Sequence, residues 1–312
     1  MRLRTVGRTA DERVARERLP TGNEQGKIER HMTTERFPRL DDVSLGETRD
    51  ALHAYARVCG EWATTCRLPR KHWWQGSLRP SLSGLTTGVI YAAVDFELER
   101  DLRRSELRAR TSDDDELVEP LVGQSARDLA ARIGDFLIAS GLDPASVPAA
   151  QDPTNEATGA NYSTGCAQTI ARAWADVTGA MTALRAGIRE ETSPIQVWPH
   201  HGDLSMVWLP GETIPGQDPN DPENADKQMN FGFTLGDGMV SEPYCYVTAY
   251  PSPEAFTSLA LPAGTLWRTS GFTGAVLPYA SVAASRDPRG YLLDLWNGLL
   301  VAGRQHMLAP AR

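Results

Sequence analysis

The sequence predicts an α+β fold, with mostly antiparallel sheets covered by helices; the element order allows two similar sheet–helix halves, which no sequence repeat marks. Three observations predict it. Four long segments repeat apolar residues at helical spacing. Two groups of short segments alternate apolar and polar residues, the period of a half-buried strand. The order helix, sheet, helix occurs twice along the chain, which suits packed layers.

The elements follow in order. Residues 1–31 hold eight basic and five acidic residues and lack Phe, Tyr and Trp. Such a composition predicts a disordered tail over 1–35, with Met32 as an alternative start. A nucleic-acid-binding arm is the functional alternative, but acidic residues interrupt every basic cluster. Residues 36–312 are then expected to form a single α+β domain, with sub-halves 36–141 and 164–308.

Ser44 and Glu47 make a capping box, and Leu52, Tyr55, Cys59, Trp62 and Cys66 fall on one helical face that ends before Pro69. In "VIYAAVDFELE", Ile90, Ala92, Val94, Phe96 and Leu98 alternate as in a strand, and "SELRART" and "DELVEPL" extend it to a meander. A second helix starts at Ser125 with Asp128 as its N3 residue, and Gly141 suits its C′ position. Residues 142–163 form a linker or long loop. The longest helix runs from about Thr164 to Glu190, with Ile170, Trp174, Val177, Met181, Leu184 and Ile188 as its buried stripe. Strands are predicted at 195–209, 228–236 and 243–250, and a last helix begins near Pro288.

Composition restricts function. The net charge of −8 disfavours nucleic-acid binding by the protein as a whole. No apolar run reaches 18 residues, so no membrane span is expected. None of the four cysteines forms a CxxC pair. Cys59 and Cys66 stand about 10 Å apart on their helix, too far for a disulfide, which fits a reducing, cytoplasmic setting. Cys166 at a helix start is better read as buried packing than as a thiolate. No P-loop, no strand-borne G-x-G-x-x-G, no G-x-S-x-G elbow and no H-E-x-x-H helix occurs, so no nucleotide cofactor is indicated. The acidic loop "GETIPGQDPNDPENADKQ" lacks the glycine and glutamate spacing of an EF-hand.

Chemistry-bearing residues concentrate in "VWPHHGDLSMVW". As a strand, its even positions, His200, Leu204, Met206 and Trp208, face the core. His201 and Asp203 then share the polar face about 6–7 Å apart along the strand. They could ligate one divalent metal, or the carboxylate could orient a general-base imidazole. A purely structural pair is the alternative. In "SEPYCYVTAYP", Tyr244, Tyr246, Thr248 and Tyr250 share one face. If this face meets the first, Tyr244 and Tyr246 line a pocket with His201 and Asp203, and Glu242 stands at its rim as a further ligand or acid. An ordinary solvated aromatic ladder is the alternative. In "RKHWWQGSLRP", His72 and Trp73 are ligand-binding candidates, and Arg70, Lys71 and Arg79 could hold an anionic group. One of the two adjacent tryptophans is expected in the core.

The ordered set "HWW", "GLTTG", "DF", "SPIQVWPHHGDLSMVW", "FGF", "EPYCYVTAYPSP" and "LPYASV" resembles the uncharacterised bacterial and archaeal domain-of-unknown-function family 5996, over roughly residues 40–308. In that family the central segment is often PHHFDL or WGSFDL. Gly202 therefore stands where an aromatic is usual, and the Asp203 position is the more typical one. The resemblance implies a boundary and an architecture, and no reaction. The functional expectation is a small-molecule pocket with metal-assisted or general-base hydrolytic chemistry at His201, Asp203 and Glu242. The alternative is a non-catalytic binding protein that associates with a second copy of itself through its Trp and Tyr residues.

Overall fold

The computed structural model describes residues 36–122, 124–149 and 162–308. The predicted tail and most of the predicted 142–163 linker lie outside the described residues. The first half holds α1 (Leu45–Cys66), an irregular turn (Lys71–Gly76), β1 (Arg79–Pro80), β2 (Gly84–Thr86), β3 (Phe96–Asp101), β4 (Glu106–Thr111), β5 (Glu116–Pro120) and α2 (Ala126–Ala139). After α3 (Thr164–Ala186) come β6 (Glu191–Thr192), β7 (Gln196–Val197), β8 (Leu204–Leu209), β9 (Gln228–Thr234), β10 (Tyr244–Tyr250), β11 (Leu266–Arg268) and β12 (Gly274–Pro278). The described chain closes with α4 (Tyr279–Ala283) and α5 (Pro288–Met307).

The fold is α+β, with two antiparallel sheets. The first is a meander, β1-β2-β3-β4-β5. The second runs β11-β12-β10-β9-β8-β6, with β7 also paired to β8. The sheets differ in length and order, so the halves are not copies of one another. On the first sheet, Leu85, Phe96, Leu98, Leu107 and Ala109 are buried. Its other face carries Arg108 paired with Glu106 and Glu116, and Arg110 paired with Glu97 and Glu99. The α1 stripe packs on the buried face, with Trp62 edge-on to Phe96 at 5.7 Å between ring centroids. On the second sheet, Leu204, Met206, Trp208, Met229, Phe231, Phe233, Cys245 and Val247 are buried in the same core as α3 and α5. Gly303 of α5 sits so close to that layer that a Cβ there would lie 2.2 Å from the Met229 sulfur.

Local chemistry explains most helix limits. Ser125 caps α2 by accepting from the Asp128 amide at 3.0 Å, and Gly141 follows it with φ +102°. Asp287 caps α5 by accepting from the Gly290 amide at 2.9 Å, with Pro288 at the first position. Asp287→Ala is expected to cost about 1 kcal/mol, the usual loss for an N-cap, measured by urea denaturation. An unchanged midpoint would show that tertiary packing alone holds this end.

Four expectations are corrected. The capping box at Ser44 does not form, because its hydroxyl donates to Asp42 Oδ1 at 2.7 Å instead. The strand expected over 89–99 starts only at Phe96. Ile90 bridges back to Phe96, so the intervening residues turn while Ile90 and Val94 still point inward. Neither adjacent tryptophan enters the core: Trp73 is 48% exposed and Trp74 is half-buried, and it is His72 that is buried. The strand expected over 195–209 is broken at 198–203 into β7 and β8, which pair with each other. Pro199 and Gly202 supply the break: Gly202 has φ +74°, and its amide donates to the Trp198 carbonyl at 2.7 Å.

Candidate functional site

The site lies on the face of the second sheet turned away from α5. Strand alternation puts Ser205, Asn230, Gly232, Tyr246 and Thr248 on this face, since the apolar residues between them are buried against the helices. Ser205, Gly232 and Tyr246 stand opposite one another across three strands. Gly232 makes the arrangement workable. A Cβ there would lie 2.1 Å from Tyr246 Cζ, so the phenol ring lies flat across β9. Its hydroxyl thereby reaches past β9 and donates to Asp203 Oδ2.

The 198–203 turn supplies the second wall. Trp198 donates its amide to the Asp203 carbonyl at 3.0 Å, and its indole N–H donates to Ser205 Oγ at 2.9 Å. Its ends are thus tied to β8, while His200 and His201 stand exposed at the tip with ring centroids 4.9 Å apart. His200, expected to face the core, does not, because the turn ends the alternation before it. The 6–7 Å strand spacing predicted for His201 and Asp203 does not apply either, although the two remain electrostatically coupled. The turn docks on α1 at Gly60, where a Cβ would lie 2.4 Å from Pro199 Cγ.

A cavity of about 250 Å³ lies between this turn, the sheet face and the Lys71–Gly76 turn. Five of the seven residues singled out in the sequence line it together: His72, Trp73, His201, Asp203 and Tyr246. His72 and Trp73 both hold left-handed backbone, with φ 52° and 54°. Such strain persists only where surroundings enforce it. Here the His72 amide donates to the Pro222 carbonyl, and the ring nitrogen Nε2 meets Asp226 Oδ2 at 3.2 Å. Those contacts anchor the turn and leave the Trp73 indole over the cavity.

Two of the seven residues stand apart. Glu242 is exposed ahead of Pro243 and outside the cavity lining, because β10 begins only after the proline. Tyr244 is buried, and its hydroxyl donates to Asp237 Oδ2 at 2.6 Å. It positions that aspartate and does not face the cavity. The basic trio is also committed elsewhere in part: Lys71 pairs with Glu191 at 3.1 Å, and Arg79 donates to Ser77 and Gln196.

The buried carboxyl dominates the electrostatics. Burial pushes the Asp203 pKa up, against the Tyr246 hydrogen bond and the His201 charge that pull it down. Burial and the adjacent carboxylate push the Tyr246 phenol well above its ordinary value, so it stays protonated. Asp203 Oδ1 is buried with no hydrogen-bond partner among the described residues. A buried carboxyl whose pKa is raised and which keeps one uncommitted oxygen is a group that can take and return a proton. His201 and Asp203 have no third ligand beside them: among the described residues, no group of three His, Cys, Asp or Glu is placed to hold a metal ion.

Family comparison matches residues 37–305. The chain belongs to DUF5996, a family of unknown function. Comparison with curated proteins and with solved structures finds no match. Within this DUF5996 chain, sequence reasoning missed Trp198, Gln228 and Asn230, which line the cavity, and His53, which packs beneath the 198–203 turn. Asn230 and Gln228 lie in β9, whose polar alternation was visible but could not be assigned to the tyrosine face. His53 had a readable signal. With Ala56 and Gly60 it forms a second stripe of α1 beside the main apolar one, and the 198–203 turn lies against that stripe. No helix of the described residues is long and apolar enough to cross a membrane.

Proposed function

We propose that this protein binds a small polar molecule over Asp203 and catalyses a general acid–base reaction on it, with hydrolysis as the reaction class. The observation that carries the reading is the Asp203 carboxyl: buried, raised in pKa, held by Tyr246, and left with one free oxygen beside the cavity. Asp203 acts as general base toward a water or a substrate hydroxyl. His201 at the cavity mouth stabilises the carboxylate and exchanges the proton with solvent. Asn230 and Thr248 offer hydrogen bonds that orient the substrate, and the Trp73 indole covers it. The nucleophile is water rather than a thiolate, because burial raises the thiol pKa of Cys59, Cys166 and Cys245. The four unpaired cysteines fit a reducing, cytoplasmic compartment.

The test is a panel of small ester, amide and lactone substrates assayed with the wild-type chain and with Asp203→Asn. Any turnover is expected to fall about 10²–10⁴-fold in the variant, the range for loss of a general base. His201→Gln is expected to shift the pH profile and leave residual activity. A substrate turned over equally by wild type and Asp203→Asn would sink the proposal, as would no turnover across the panel.

A further inference from the structure

A second cavity, of about 360 Å³, lies on the other side of the His200–His201 turn, between α1, α3 and the Gly236 loop. Its lining includes Arg100, which is 1% exposed. This arginine occupies an inward position on β3, with Leu85 and Leu107 as its cross-strand neighbours. A charged group in such surroundings is costly unless it is paired. Among the described residues, no carboxylate pairs with it. Its Nη1 donates to the Leu52 carbonyl, while Nε and Nη2 are buried with no partner.

The identity of the two free nitrogens matters. Nε–H and Nη2–H project in parallel from one edge of the planar guanidinium, the edge that matches the two oxygens of a carboxylate. Two further buried polar atoms without partners belong to side chains of the same lining, His53 Nε2 and Trp174 Nε1. The acidic residues of the lining are engaged otherwise. Asp50 pairs with Arg49 at 2.9 Å, and Asp237 accepts from Tyr244 and from the Met239 and Val240 amides. Burial, with the nearby Arg57 and Arg100 charges, lowers the His53 pKa to about 4, so its imidazole adds no charge at neutral pH.

We propose that this cavity is a binding site for a small organic anion, whose carboxylate is held bidentately by Arg100 and flanked by Trp174 and His53. The anion supplies the countercharge that the first sheet does not. The proposal does not rest on proton transfer by Asp203, because binding here is measured without turnover.

The experiment titrates the wild-type chain at pH 7 with sodium acetate, replacing sodium chloride at constant ionic strength, with inorganic phosphate as a parallel arm. Thermal unfolding and saturation transfer from the acetate methyl protons are followed. A saturable rise in Tm and saturation transfer are expected with acetate. Arg100→Met is expected to weaken acetate binding by about tenfold or more, the loss of hydrogen bonds to a charged group. Trp174→Phe removes the indole N–H, keeps an aromatic ring at this position and is expected to weaken acetate by several-fold, which keeps the test usable if Arg100→Met fails to fold. Absence of saturable acetate binding would overturn the proposal. So would acetate binding unchanged in Trp174→Phe and Arg100→Met, or a site that takes phosphate in place of acetate.

Discussion

Gly232→Ala is expected to destabilise the protein by about 1–3 kcal/mol, the usual cost of overpacking a filled site, and to disconnect Tyr246 from Asp203. The reason is local. A Cβ at this position would stand 2.1 Å from Tyr246 Cζ and 2.4 Å from its hydroxyl oxygen. The methyl group also points at the rigid part of the ring, so the phenol must leave its place across β9. Asp203 then loses its side-chain donor. Because that hydrogen bond lowers the Asp203 pKa, its loss raises the pKa further. Urea denaturation measures the first effect, and the pH dependence of stability measures the second. Tyr246→Phe separates them, since it removes the hydroxyl without forcing the ring to move. A Gly232→Ala protein with wild-type stability and an unmoved Asp203 titration would contradict the packing described here.

Asp203→Asn is expected to make the protein more stable at neutral pH, although it is expected to lower the proposed activity by the roughly 10²–10⁴-fold typical of a lost general base. The folded-state pKa of Asp203 is raised by burial above its value in the unfolded chain. The folded state therefore binds the proton more tightly than the unfolded state. The stabilisation from that proton is fully present below the unfolded value of 3.8 and is lost as pH rises through the folded pKa. Above that pH the fold carries a buried charge with an unpaired oxygen. Asparagine removes the charge, and relief on the order of 1–3 kcal/mol is expected from the cost of an unsatisfied buried group. Paired thermal scans of wild type and variant from pH 4 to 8 are the check. Their difference should widen with rising pH. Parallel curves would mean that Asp203 titrates as an ordinary carboxylate.

Gains in stability with losses in activity are the usual mark of a site whose groups are held against their solvation preference. Trp73 and His72 point the same way. Both are non-glycine residues in left-handed backbone, fixed by contacts to Pro222 and Asp226 from a distant loop.

Periodicity made the frame legible. The stripes of α1, α2, α3 and α5 could be read because helical burial repeats over many residues, and no single exception erases the pattern. The cap at Ser125 was equally local: it uses a side chain and an amide three residues on. The candidate site was legible only in its ingredients. His72, Trp73, His201, Asp203 and Tyr246 could be named from residue type and alternation, and they do share a cavity. Glu242 was misplaced because nearness in sequence to Tyr244 says nothing about whether the chain before Pro243 follows the strand. The strand predicted through His200 failed because a positive-φ glycine can turn a chain that alternation alone would carry straight on.

By itself, then, the sequence determined the α+β class, the helix stripes, the cap at Ser125, and the polar alternation of β8 and β10, because all of these are set by neighbours a few residues apart. Tertiary structure decided that β9 lies between those strands, that its Gly232 lets Tyr246 cross to Asp203, and that Arg100 comes to face a cavity with Trp174 and His53. Those outcomes depend on which strands pair and which small residue stands where they cross. Such pairings join segments tens of residues apart, and no local propensity encodes them.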